Sequence, residues 1–581
     1  MKRFEHCQKY RSPSAVGAAV LLFFGVVSAL SQGLFNLLLR QSLAKTQKSS
    51  LRKGCGISSN ALVYCALIAV LGPVGRLAAY EYAEVTLDYV AAKAQQRAQK
   101  PFHSPKAELP DFLRADKLDY DKYREIEFRH ENALWATEPL PFRVEFFHPG
   151  YLYQEPIHVN EFTLTHVQPI RFVQDWFNYR SLKFPKQIPA DTGYAGFRVL
   201  YPLNKPDKWD ELGAFIGASY FRLLGKGQSY GQSARGLALD SGETDRPEEF
   251  PIFTDWWLGK PSQGEDRLKM YAILDSVSCV GAYRFVIIPG DTTVMEVEAV
   301  LYFREGDKVR AVNADRKPIK TIGMAPLTSM FWFGKASEKR FDDYRPEVHD
   351  TDGLLMQLDK GEVLWRPLVN PKQMSHQVFT TKSPGGFGLI QRERDFSAYQ
   401  DLFNLYYHTP SVWVRPNGDW KEGEIHLVEL PTAYEGLDNV VAFWNPKEQP
   451  QPLQPYKFSY TLLWGSNESD MKLNFDKDRV TATRIGLDPR DPKVREFTVD
   501  FAGPKLKPFT EANRPQAITS CSPNAGISFS EVYYNPFASS WRVVLKLEPK
   551  PENKDPVDIR CTLQKGEEVL TETWTYHWSP P

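Results

Sequence analysis

The chain has 581 residues, with 71 Lys+Arg against 71 Asp+Glu, a formal net charge of zero and a pI of about 7.2. The balance is uneven: the first 79 residues hold ten basic residues and the single acid Glu5, which leaves 61 basic and 70 acidic residues from position 80 onward, a net of −9. A body of that sign presents no basic face to a phosphate backbone, which argues against nucleic acid as a partner, and 13% aromatics with 43 prolines point to a β-rich fold with many turns rather than a helical bundle or a disordered chain.

In chain order, residues 12–39 carry no charge and follow Lys2, Arg3, Lys9 and Arg11, a pattern long enough to span a bilayer with the N-terminus inside. A second run starts with Arg52 and Lys53, continues through the uncharged stretch 54–75 with its apolar centre at 61–71, and ends on Leu77-Ala78-Ala79. Basic, apolar, then small is the order of a secretory signal peptide, so residues 51–79 are read as the export signal with cleavage after Ala79, and residues 1–50 as an extension. An uncleaved membrane anchor is the other reading.

Residues 80–98 have helical spacing, with Val85, Tyr89 and Ala92 on one side, and the pattern stops before Pro101. Beyond Pro141 the period changes to two. In 295–304 the odd positions are all apolar and the even ones mainly polar, and similar runs occur at 142–147, 283–288, 425–430 and 440–444. Many short strands separated by Gly, Pro and Asp predict a sandwich or barrel, with little room for parallel crossovers. Residues 445–455 hold four prolines and read as a stiff interdomain linker. Strand candidates at 457–464, 496–501, 541–547 and 572–577 then fit a small immunoglobulin-like sandwich over 456–581.

Six cysteines (Cys7, Cys55, Cys65, Cys279, Cys521, Cys561) show neither a C-x-x-C pair nor zinc spacing, so no metal or other cofactor is expected. Cys521 and Cys561 are the one plausible disulfide; separate buried thiols are the equal reading. Gly227-Gln228-Ser229-Tyr230-Gly231 matches G-x-S-x-G, but that nucleophile elbow needs a strand before it and a helix after it, and a Gly-rich loop at a sandwich rim is the better reading. Two groups of carboxylates lie among aromatics and arginines: 344–353 near Trp332, Trp365 and Arg366, and 434–440 beside Trp444. Glycoside hydrolysis needs two carboxyl groups, one protonated and one ionised, with aromatic faces for the sugar rings; turn sequences of ordinary kind are the bland alternative.

The strings YRFVIIPGDTTVMEVEAVLYFRE (283–305), APLTSMFWFG (325–334), YRPEVHDTDGLLM (344–356), WRPLVNP (365–371), GFGLIQRERDFSAYQDL (386–402), DWKEGEIHLVELPT (419–432) and DNVVAFW (438–444) closely resemble the periplasmic glucan biosynthesis family of osmoregulated periplasmic glucan synthesis. The likeness runs from about residue 107 to the end. It implies a large galactose-mutarotase-like β-sandwich over 107–444 followed by the immunoglobulin-like domain, with 80–106 as a helical lead-in. It also implies export to the periplasm, β-1,2-glucan as the partner polysaccharide, and functional coupling to an inner-membrane glucan glycosyltransferase. Some members of the family are inverting endo-β-1,2-glucanases; others are reported to transfer or cyclise the chain, and a non-catalytic glucan scaffold is the remaining alternative. Carried over by residue, the resemblance implies Asp438 as general acid, Asp350 as general base and Tyr406 as a relay between the attacking water and the base. The expected sugar contacts are Glu435, Trp332, Arg345, Glu347, His349, Trp365 and Arg394.

Overall fold

The alternation at 295–304 becomes the strand Thr293–Phe303, in which the odd-numbered side chains are all buried while Glu296 and Glu298 stay partly exposed. The even face turns apolar at Val300 and Tyr302 because a helix, Leu87–Ala98, packs there. Thr86 caps that helix, its side chain accepting the N–H of Tyr89 at 3.2 Å. The buried face is Val90, Ala91, Ala94 and Ala98 rather than the expected Val85–Tyr89–Ala92 stripe; Val85 is buried ahead of the helix and Ala92 is exposed. Alanines at i, i+3 and i+7 bring the helix backbone close to Val280 and Ala282 on the sheet.

The computed structural model describes residues 84–338, 341–550 and 554–580. The apolar segments 12–39 and 54–75, and the signal peptide read over 51–79, lie outside them. Among the described residues no helix is long and apolar enough to cross a membrane.

The fold is mainly β, as expected. A ten-stranded sheet runs Arg143–Phe147, Gly196–Tyr201, Asp210–Ile216, Tyr220–Leu223, Ser233–Arg235, Ile322–Ser329, Val440–Pro446, Gly423–Glu429, Ser375–Thr381, with Leu237–Leu239 paired to Ile322–Ser329. It packs on a fifteen-stranded sheet through a large apolar core; Phe197 and Phe215 set their rings edge-on to Trp256, and Phe221 does so to Phe285. A four-stranded sheet (Arg479–Asp488, Asp491–Ala502, Ser540–Pro549, Ala525–Asn535) and the end of the long sheet (Gln516–Cys521, Val557–Lys565, Thr573–Trp578) enclose a second, smaller core.

The linker expected at 445–455 joins neighbouring layers of the large sandwich instead. The strand after it, Tyr456–Gly465, lies between Thr293–Phe303 and Ser411–Pro416 in the long sheet, so the boundary drawn at 456 falls inside the sandwich. Asn445 and Pro446 end the strand Val440–Pro446, the prolines beyond it cannot donate to a ladder, and Leu453 ties the loop down by donating its N–H to Phe303 O at 2.8 Å. The two cores are also not separated by a free linker. Val363–Pro367 pairs in parallel with Thr573–Trp578, which makes one sheet continuous across the junction.

At that junction Arg392 pairs with Glu468 (2.8 Å) and Glu572 (2.7 Å), donates to Val480 O (2.7 Å) and covers the Trp365 ring at 3.7 Å. Cys521 and Cys561 are separate thiols: their strands pair in a register that sets Cys561 opposite Thr519 and Cys521 opposite Ile559.

Candidate functional site

Two of the expected catalytic carboxylates are anchored to one short segment. Asp350 follows the strand Val348–His349, and its N–H donates to Met330 O at 2.9 Å. The next residue, Phe331, donates its N–H to the side chain of Asn439 at 2.9 Å, and Asn439 in turn donates to Leu430 O at 2.8 Å. The Asp438-Asn439 turn and the Asp350 backbone are therefore held at adjacent residues. Asp350 is fully buried, whereas the Asp438 side chain is 24% exposed, with Oδ2 3.5 Å from Arg222 Nη2 on the strand Tyr220–Leu223.

Tyr406 opens the turn Tyr406–His408 and donates its O–H to Glu435 Oε2 at 2.7 Å. Burial raises its phenol far above the ordinary range, and the charges of Asp350 and Glu435 push it the same way, so the group stays protonated at any working pH. Arg345 binds the same Glu435 oxygen at 2.7 Å, Asp401 at 2.9 Å and both oxygens of Asp343 at 2.9 and 3.0 Å. Asp401 accepts the N–H groups of Phe403 and Asn404, which shapes the loop leading to Tyr406. Arg345 is thus a mostly buried hub for three loops, and it orients Glu435. Trp332 lies beneath it, its ring 5.9 Å from the guanidinium and packed on Phe333 and Phe341.

The G-x-S-x-G segment supports this turn and has no elbow geometry. It links two strands, Tyr220–Leu223 and Ser233–Arg235, without a helix; Ser229 donates its N–H to His408 O (3.1 Å) and its Oγ–H to Leu405 O (3.2 Å). A Cβ on Gly231 would lie 2.7 Å from Thr409 Cβ and 3.6 Å from Asp350 Cβ, so the glycine is what lets this loop reach the site. Replacing Ser229 by Ala is expected to leave activity on glucan within twofold and to cost about 1 kcal/mol of stability, read by thermal melting beside a turnover assay.

The remaining expected sugar contacts are placed elsewhere. Glu347 and His349 are buried towards the junction, with His349 Nε2 3.3 Å from Glu347 and Lys335 Nζ 2.9 Å from it. Burial pushes the Glu347 carboxyl up, but His349 and Lys335 outweigh it and hold it at about 2. Burial likewise opposes charge on His349, and Asp352 and Glu347 carry it above its ordinary value. Glu347, His349 and Asp352 each bring a ligand atom within 4.8 Å of the others, the one such trio among the described residues; Lys335 and the N–H groups of Arg392 and Glu393 already answer its charge. Trp365 packs in the smaller core under Arg392 and, with Glu347 and His349, lines a pocket at the junction. Arg394 braces the turn from behind, donating to Tyr407 O (3.0 Å) and Thr409 O (2.8 Å). A sequence alone carries no signal for Arg222 or Gly231, because their roles depend on which strands become neighbours; Asn439 was within reach as the second residue of the DNV string.

Around this centre three loops present exposed rings: Tyr344 at 77%, Phe403 at 73% and Tyr434 at 53%. The family described as "Periplasmic glucan biosynthesis protein, MdoG" matches residues 86–578. "Glucans biosynthesis protein G" of Pseudomonas aeruginosa, in strains LESB58 and PAO1, is 40% identical over 501 residues, covering 84% of this chain and 92% of that protein. The protein of the same name from Pseudomonas paraeruginosa PA7 matches equally, 40% over 501 residues with the same coverage.

Proposed function

Because the chain belongs to the periplasmic glucan biosynthesis family, we propose that it acts on the glucan itself, as an anomer-inverting endo-β-1,2-glucanase. Membership carries a role in glucan biosynthesis and a periplasmic location; the cleavage reaction, export by residues 51–79 and coupling to an inner-membrane glycosyltransferase belong to this reading. The observation that carries it is the anchoring of Asp350 and of the Asp438 turn to adjacent residues 330 and 331, with Tyr406 beside them. Asp438, the more exposed of the two carboxyl groups, gives its proton to the glycosidic oxygen. Water attacks the opposite face of the sugar, and its proton passes towards Asp350, directly or through Tyr406. A neutral polysaccharide gains little from long-range charge, and the exposed rings of Tyr344, Phe403 and Tyr434 suit its pyranose faces.

The test is incubation of the purified protein with linear β-1,2-glucan, followed by separation of the products by size and anomeric form. Shorter chains whose new reducing ends are α are expected. Unchanged glucan would support a binding scaffold. Cyclic or longer products would support transfer, the second reading, because rings on several loops also suit an acceptor sugar. Tyr406→Phe is expected to lower kcat about tenfold to a hundredfold, the worth of one hydrogen bond to a charged group, with KM little changed.

A further inference from the structure

A pocket opens beside the strand that carries Arg222, between the turn 216–220 and the loop 152–157. Buried rings of the large core, Phe215, Phe253 and Trp256, close its base, and Tyr153, Glu155 and Tyr220 line it as well. The turn is held firmly. Gly217 and Ala218 are both left-handed (φ 79° and 45°); Tyr220 donates its N–H to Gly217 O at 3.0 Å, and Phe253 donates its N–H to Ala218 O at 3.2 Å. An alanine keeps that conformation only where its surroundings impose it, as residues at ligand clamps do. Arg235 sets the Tyr220 ring from one face: its guanidinium lies 4.7 Å from the ring centroid and is itself fixed by Glu248 at 2.6 Å and Thr328 at 3.0 Å.

The polar groups of the pocket are not spent within the protein. Among the described residues the Tyr220 hydroxyl and the Glu155 carboxylate make no hydrogen bond or ion pair, whereas Tyr123, packed on Tyr153, donates to His148 O at 2.8 Å and Tyr230 donates to Glu211 at 2.6 Å. An apolar base with a few free polar groups on the wall suits an uncharged ligand rich in hydroxyls. The pocket also adjoins the proposed acid. Tyr220 and Arg222 are two residues apart on one strand and so share a face at a spacing of about 7 Å, and Arg222 Nη2 is 3.5 Å from Asp438 Oδ2. Tyr153 stands within the field of Arg222, and Tyr220 within that of Asp438.

We propose that this pocket is a distal sugar subsite, which takes a glucosyl unit of the same β-1,2-linked chain beyond the units at the cleaved bond. Glu155 accepts a sugar hydroxyl and the Tyr220 O–H donates to another. The subsite selects by length: a chain long enough to fill it is held in register with the carboxyl groups, and a shorter one forgoes that hold. This inference rests on the proposed action on glucan and deepens it.

The test is a length series of linear β-1,2-gluco-oligosaccharides, compared between the wild type, Tyr220→Phe and Glu155→Ala. Phenylalanine keeps the ring under Arg235, and residue 155 is exposed, so both changes leave the core rings in place. In the wild type kcat/KM should climb with chain length. Each variant should lower the ratio of long-chain to short-chain kcat/KM about tenfold, the worth of one hydrogen bond to the ligand, whereas a merely structural role would move both rates alike. A ratio lowered in neither variant would overturn the subsite. Calorimetric affinities of the same series for Asp350→Asn, alone and with Glu155→Ala added, need no turnover. Affinity that rises with length and is flattened by Glu155→Ala, in a protein whose wild type cleaves nothing, would sink the hydrolase reading and keep the subsite. Cleavage with no dependence of rate or affinity on length would do the reverse, and absence of glucan binding would sink both.

Discussion

Asp438→Asn is expected to lower kcat on linear β-1,2-glucan by about 10²- to 10⁴-fold, the range spanned by a positioned general acid, while glucan binding changes no more than a few-fold. Asparagine keeps the volume and the position but has no acidic proton to give the leaving oxygen. The turn itself is untouched, since Asn439 holds it through Phe331 and Leu430. Asp350→Asn should cause a loss of similar size for a different reason: the attacking water loses its proton acceptor, although the buried site around Met330 and Thr409 is kept by backbone contacts to residue 350. Reducing-end assays beside binding titrations check both. Cleavage by Asp438→Asn at the wild-type rate would rule out the acid assignment, and a trapped glycosyl-enzyme would rule out inversion.

Arg392→Ala should produce the largest loss of stability. It leaves Glu468 and Glu572, 10% and 3% exposed, without their shared cation, and removing one partner of a buried ion network costs about 3–5 kcal/mol. Trp365 also loses its cover. Scanning calorimetry should show a lower midpoint, and hydrogen exchange should quicken first around Val480, whose carbonyl Arg392 binds. Burial raises the Glu468 carboxyl, but Arg392 and Arg479 outweigh it and leave it below its ordinary 4.5. Its contribution is therefore present above that value and lost as pH falls through the depressed folded one, so the deficit of the variant should narrow in acid. Adding Glu468→Gln and Glu572→Gln to Arg392→Met should restore most of the loss, because no buried charge is then left alone.

Much of this molecule is legible along the chain. The period-two run at 295–304 marked its strand, since alternation of apolar and polar side chains is a local consequence of the pleat, and the short apolar-rich runs at 142–147, 283–288, 425–430 and 440–444 lie in strands as well, the last of them buried on both faces. The long ordered strings from 283 to 444 carried the family, and the family carried Asp438, Asp350 and Tyr406 as candidates. What the chain order could not decide was neighbourhood. Glu347 and His349 share a string with Asp350, yet the strand directions and the continuous sheet across the junction set them, with Trp365 from another string, around a separate pocket at the junction. The Pro-rich stretch 445–455 resembles any linker until Tyr456–Gly465 is seen between Thr293–Phe303 and Ser411–Pro416. Arg222 lies 216 residues from Asp438 and comes within 3.5 Å of it only because the sheet places the strand Tyr220–Leu223 near the Asp438 loop. Local periodicity and motif identity depend on residues near in sequence and so were settled by the sequence; ion pairs, loop hubs and the surroundings of each candidate side chain depend on residues distant in sequence, and only the packed sheets decide them.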